Sequence, residues 1–87
     1  MNSHTQRLTG RLLLACNRFL KHELTNDMLL RDAEGICNAL EDKDAILLIS
    51  NFITNIEDSR HLFDDEEGRA FLESKIKDLF VAMERLN

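Results

Sequence analysis

The chain has 87 residues, enough for one domain but too few to divide between two hydrophobic cores. Its 44 % apolar and 31 % charged content excludes the weakly apolar composition of disordered chains. The absence of Pro, Trp and Tyr, with only three Gly, argues against a fold built on tight β-turns. The formal charge of −5 is unevenly placed. Arg7, Arg11, Arg18 and Lys21 against Glu23 give residues 1–24 a formal +3, whereas seven basic and fifteen acidic side chains give residues 25–87 a formal −8.

In the first segment Leu8, Leu12, Ala15 and Phe19 recur at steps of 4, 3 and 4, with Cys16 and Leu20 widening the same side. At about 100° per residue these positions share one helix face. His4, Arg7, Arg11, Arg18, Lys21 and His22 occupy an opposite arc of about 100°, with Leu14 inside it. Arg7, Arg11, Arg18 and Lys21 are therefore a candidate basic face. The string Leu13-Leu14-Ala15-Cys16 superficially suggests a lipoprotein processing site, but Gly10 and Arg11 interrupt the apolar run such a signal needs. With five-residue apolar runs at most, far below the roughly 20 of a membrane span, no transmembrane segment is expected. The lack of an export signal and the presence of only two Cys point to a reducing compartment, the cytoplasm.

The second segment repeats the spacing at Leu29, Ala33, Ile36 and Leu40, with Thr25 or Asn26 available as its cap. The third does so at Ala45, Ile49, Phe52 and Ile56, with Asp42 or Asp44 as cap. Its β-branched content also suits a strand. Strand alternation, however, would leave both faces mixed, Ser50 and Thr54 on one and Asn51 and Asn55 on the other, so a helix is expected. The fourth segment carries Leu72, Ile76, Leu79, Met83 and Leu86 at steps of 4, 3, 4 and 3. Asp64 is its expected cap, with Glu67 in the reciprocal position of a capping box and Asp65 and Glu66 suited to the positive end of the helix dipole. Asp27 with Arg31, Asp65 with Arg69 and Glu73 with Lys77 are favourably ordered i, i+4 pairs.

These segments predict an all-α fold, a single domain over residues 1–87 in which about four amphipathic helices form an antiparallel bundle. Connections are expected near residues 24–26, 41–44 and 57–64. Periodicity alone does not distinguish a core closed within one chain from one completed by a second copy. The line Leu72, Ile76, Leu79, Met83 and Leu86 is the candidate seam of a homodimer.

Chemistry is sparse. His4, His22 and His61 are isolated, and Cys16 and Cys37 lie too far apart in sequence for a paired zinc motif. With Gly35 or Gly68 at the sixth position, an EF-hand loop would begin at Leu30 or Phe63, neither of which can ligate calcium. Thr25 and Asp64 stand three residues after His22 and His61, where a histidine phosphotransfer domain usually carries Lys. No phosphate-cradling loop or nucleophile motif is present. The expectation is a protein with no cofactor, no metal and no enzymatic activity, acting by protein–protein contact as an adaptor, inhibitor or regulator.

Its densest acidic cluster, Glu57, Asp58, Asp64, Asp65, Glu66 and Glu67, is a candidate contact surface, and Leu47, Leu62, Phe63 and Val81, off the main stripes, are candidate apolar anchors. The alternative lays the basic face of the first helix on nucleic acid or an anionic membrane. Four cations beside a −8 remainder, without interleaved aromatics, make direct nucleic-acid binding the weaker expectation.

Overall fold

A computed structural model describes residues 2–86, which form four α-helices: α1 (Ser3–Leu20), α2 (Asn26–Ala39), α3 (Lys43–His61) and α4 (Asp65–Leu86). Each begins where a short polar side chain satisfies a free backbone N–H of the first turn. Asn2 Oδ1 accepts from Thr5 N at 2.8 Å, Thr25 Oγ1 from Met28 N at 3.2 Å, Asp42 Oδ1 from Ala45 N at 3.0 Å and Asp64 Oδ1 from Glu67 N at 2.8 Å. Thr25 and Asp42 thus cap where Asn26 and Asp44 were the alternatives. Glu67 does not return the second bond of a capping box, so the cap of α4 is one-sided.

The helix ends differ from the expected ones for local reasons. α1 closes in a left-handed turn: Glu23 N donates to the Arg18 carbonyl at 2.9 Å, His22 N donates to the Phe19 carbonyl at 3.0 Å, and His22 sits at φ 65°. His22 therefore leaves the helical wheel and does not extend the basic arc. α3 runs on to His61 rather than ending near Ile56. Residues 57–61 contain no Gly or Pro to stop it, and the added turn buries Ser59 against α4. The connections are residues 21–25, 40–42 and 62–64, the first longer and the other two shorter than expected.

Each helix packs on its chain neighbours, and α4 returns to α1, giving a four-cornered bundle 38 × 21 × 21 Å in extent. The short turns make successive helices antiparallel. One end of the bundle holds the start of α1, the end of α4 and the 40–42 connection; the opposite end holds the other two connections. All four stripes meet in one core. Leu12, Phe19, Leu29, Ile49, Phe52, Ile56, Leu72 and Ile76 are buried, each contributing about 1.5 to 3 kcal/mol by removal from water. The third segment is helical as its wheel predicts, with Ala45, Ile49, Phe52 and Ile56 all inward.

The candidate seam on α4 is occupied within the chain. Leu72, Ile76, Leu79 and Met83 belong to the intrachain core, and Leu86 is half-buried. A second copy could reach these side chains only if the bundle opened. None of the three expected i, i+4 pairs forms: Asp27 reaches across to Arg60 of α3 at 3.0 Å, and Glu73 Oε1 lies 3.4 Å from Arg69 Nε rather than beside Lys77. Asp27 finds its partner across the α2–α3 contact, whereas Glu73 pairs one turn back along α4, with Arg69 in place of Lys77.

α4 lies tight against α3 at Gly68. A Cβ there would lie 2.5 Å from the Ser59 carbonyl oxygen, a backbone atom that cannot swing aside. Gly10 and Gly35, in the middles of α1 and α2, have no such neighbour within 4 Å. The helix preference for Ala over Gly, about 1 kcal/mol, therefore acts unopposed at Gly10 and Gly35 and is overridden at Gly68. Gly10→Ala is expected to stabilise by about 0.5 to 1 kcal/mol, whereas Gly68→Ala is expected to destabilise by about 1 to 3 kcal/mol as helices are forced apart. Urea unfolding of the two variants checks the opposite signs.

Candidate functional site

The end of the bundle where α1 and α3 finish and α2 and α4 start carries several side-chain contacts between helices. An open cavity of about 550 Å³ lies there, with Leu24, Asn26, Ser59, Phe63 and Arg69 among its lining residues. Ser59 is buried but fully engaged: its hydroxyl donates to the Ile56 carbonyl at 2.6 Å and accepts from Asn26 Nδ2 at 3.1 Å. These bonds join α2 to α3, and the Asp27–Arg60 pair lies over the same junction.

Arg69 closes the other side. Its guanidinium lies 4.4 Å from the centroid of the Phe19 ring and donates through Nη2 to the Phe19 carbonyl, one of the last of α1. A cation at a helix C-terminus is favoured by the dipole, so the expected Asp65–Arg69 pair gives way to a contact across helices. Nε has no hydrogen-bond partner, and its approach to Glu73 is Coulombic. Stacking, the carbonyl and Glu73 leave Arg69 committed to the fold rather than offered to a ligand.

Beside the cavity, the turn between α3 and α4 exposes Leu62, at 69 %, and Phe63, at 36 %. Phe63 is held on one side by Phe71, with ring centroids 5.0 Å apart and planes tilted by 31°, and Lys75 Nζ lies 5.3 Å from the Phe71 centroid. The candidate acidic residues flank this pair along the chain. Glu57, Asp64, Asp65, Glu66 and Glu67 are exposed, and Asp58 is half-buried. Two of the four candidate anchors thus lie in the same turn as Asp64, with the other five candidate carboxylates on the helix ends that flank it. Leu47 and Val81 are exposed too, but they lie early in α3 and late in α4, in the other half of the bundle. Met28, at the start of α2 and 47 % exposed, was missed by sequence reasoning. Its position just before the Leu29 stripe was the available signal.

The candidate basic face is solvated along α1. Arg7, Arg11, Arg18 and Lys21 are all exposed, and Leu14 among them is 61 % exposed. Arg18 has a local partner, Glu23, at 3.7 Å. Among the described residues Arg7, Arg11 and Lys21 make no ion pair, so the acidic helices do not answer the basic face within the chain. His4 turns aside to the Ala39 carbonyl, 3.1 Å from Nε2. A groove of about 340 Å³ beside α1 is lined by Arg11 together with Arg31 and Asp32 of α2, so the cation that α2 adds comes with a carboxylate.

Among the described residues no three His, Cys, Asp or Glu side chains are grouped to hold a metal ion, and no helix is long and apolar enough to cross a membrane. Both cysteines are free. Burial pushes the Cys16 thiol up to about 12, so it stays protonated at neutral pH and is a poor nucleophile. Cys37 Sγ lies 3.5 Å from Ser50 Oγ. Comparison with known proteins returns no match to a family model, a curated protein or a solved structure.

Removing Arg69 tests whether this end is held as described. Arg69→Ala is expected to cost about 1 to 3 kcal/mol, and Arg69→Lys to recover less than half, because an ammonium neither stacks nor forks like a guanidinium. Arg60→Ala, which breaks the more exposed pair with Asp27, is expected to cost under about 1 kcal/mol. Chemical denaturation midpoints at unchanged m-value decide between these ranks.

Proposed function

We propose that this protein acts by contact, as a small helical adaptor, inhibitor or regulator that engages a protein partner through the turn between α3 and α4. The observation that carries the reading is the exposure of Leu62 and Phe63 amid six carboxylates, on a bundle whose own core is already closed. An apolar centre that excludes water and a charged rim that steers association are the usual parts of a protein interface. Phe63 is braced by Phe71, so ordering it at an interface costs little side-chain entropy. The partner that fits is a basic surface with an apolar recess.

The test is affinity capture from the native cell, followed by mass measurement of the intact complex. A paired Leu62→Ser, Phe63→Ser variant is expected to lose at least tenfold in affinity, about 1.4 kcal/mol. Asp65→Asn, Glu66→Gln and Glu67→Gln together are expected to slow association while leaving Asp64 to cap the helix. A captured partner indifferent to both sets would place the contact elsewhere.

A second reading uses the basic face of α1 on nucleic acid or an anionic membrane, supported by Arg31 beside Arg11 and by the lack of ion pairs at Arg7, Arg11 and Lys21. It ranks second because a few cations give modest phosphate attraction against the acidic remainder. Binding to duplex DNA, RNA or anionic vesicles that weakens with salt and vanishes in Arg7→Glu, Arg11→Glu would favour it over the first.

A further inference from the structure

The cations of α1 and the carboxylates of the α3–α4 turn are left facing solvent in one chain, each set around an exposed apolar centre. Leu14 lies within the first, and Leu62 and Phe63 lie within the second. Among the described residues the one ion pair made by the α1 cations, Arg18 with Glu23, is local and does not involve the acidic turn. On the α4 stripe Leu72, Ile76, Leu79 and Met83 are buried within the chain, so they are not part of these exposed surfaces.

We propose that a second copy of this chain covers these surfaces, the outer face of α1 on one copy lying against the α3–α4 turn of the other. The argument is charge complementarity. Arg7, Arg11 and Arg18 spread over about 16 Å of helix at about 1.5 Å per residue, Lys21 follows at its C-cap, and together they meet carboxylates clustered around a short turn. Leu14 then leaves water against the apolar pair. If each copy offers its α1 to the other's turn, the contact is made twice and closes at two chains. This pairing stands apart from the proposed function, since it needs no foreign partner. It also uses the same turn, so a basic partner and a second copy exclude one another.

The salt dependence has a definite shape. Two molecules of net charge −5 repel at long range, and that repulsion dominates at very low salt. Near 0.15 M the Debye length is about 8 Å, so distant charges are screened while facing pairs still attract; near 1 M it is about 3 Å and those pairs weaken as well. Association is therefore strongest at intermediate ionic strength.

The experiment is a charge swap read by sedimentation equilibrium. One variant carries Arg7→Glu, Arg11→Glu and Lys21→Glu; the other carries Glu57→Lys, Asp65→Lys, Glu66→Lys and Glu67→Lys, which reverses the sign of the turn and leaves the Asp64 cap intact. Circular dichroism confirms that each is folded, and Gln versions at the same positions replace any that is not. The wild type is expected to move with concentration from 10.1 kDa towards twice that mass, each variant alone to stay at 10.1 kDa, and their equimolar mixture to recover the doubled mass. If Gln versions are used, each alone is expected to weaken pairing at least tenfold, and their mixture to recover it only in part, because one of the two contacts then keeps its native charges on both sides. Leu14→Ser is expected to weaken the wild-type pair at unchanged charge. A wild type that stays at 10.1 kDa at hundreds of micromolar overturns the proposal. So does a pair that survives both reversals, a folded reversed mixture that stays unassociated, or a ladder of masses beyond two chains.

Discussion

The close approach of α4 to α3 at Gly68 sets the geometry on which the rest of the bundle depends. With no Cβ at that position, the first turn of α4 comes against the Ser59 carbonyl. That places the next residue, Arg69, over the Phe19 ring and at the last carbonyls of α1. A four-helix ring needs its last member to touch both its predecessor and the first. Here adjacent residues serve the two contacts, one by having no side chain and the other by having a long, planar, charged one. The same stretch follows directly on the exposed turn, so the candidate surface adjoins both of these contacts between helices.

The interior was readable because a single rule governs it. Steps of 3 and 4 identified all four helices, and Leu8, Leu12, Ala15 and Phe19 are buried as their spacing requires. What periodicity could not supply was the identity of the covering surface. Leu72, Ile76, Leu79 and Met83 have the spacing of a seam between chains and of a core within one. Only tertiary packing separates the two. Charge pairing was misread for a related reason. Sequence ranks Asp65 and Arg69 as partners one turn apart, whereas the fold offers Arg69 an aromatic face and a helix C-terminus.

At the surface, exposure of Leu47, Leu62, Phe63 and Val81 followed from their lying off the stripes. Their grouping did not, because it depends on where each falls along its helix. Leu62 and Phe63 share a turn with the carboxylates, and Leu47 and Val81 do not. The basic arc lost His22 to a left-handed residue that a wheel cannot represent, and gained Arg31 from a neighbouring helix. Function is the least legible level. Contact surfaces are assembled from residues distant in sequence, and their chemistry is generic until a complementary surface is known.

An even number of antiparallel helices brings the chain back to the pole from which it set out. Residues 3 and 86 therefore share one pole, and the turn at residues 62–64 occupies the other. Any tether, label or solid support joined at either extremity hangs from the far side of a rod about 38 Å long, leaving the aromatic and acidic tip pointing away from its attachment.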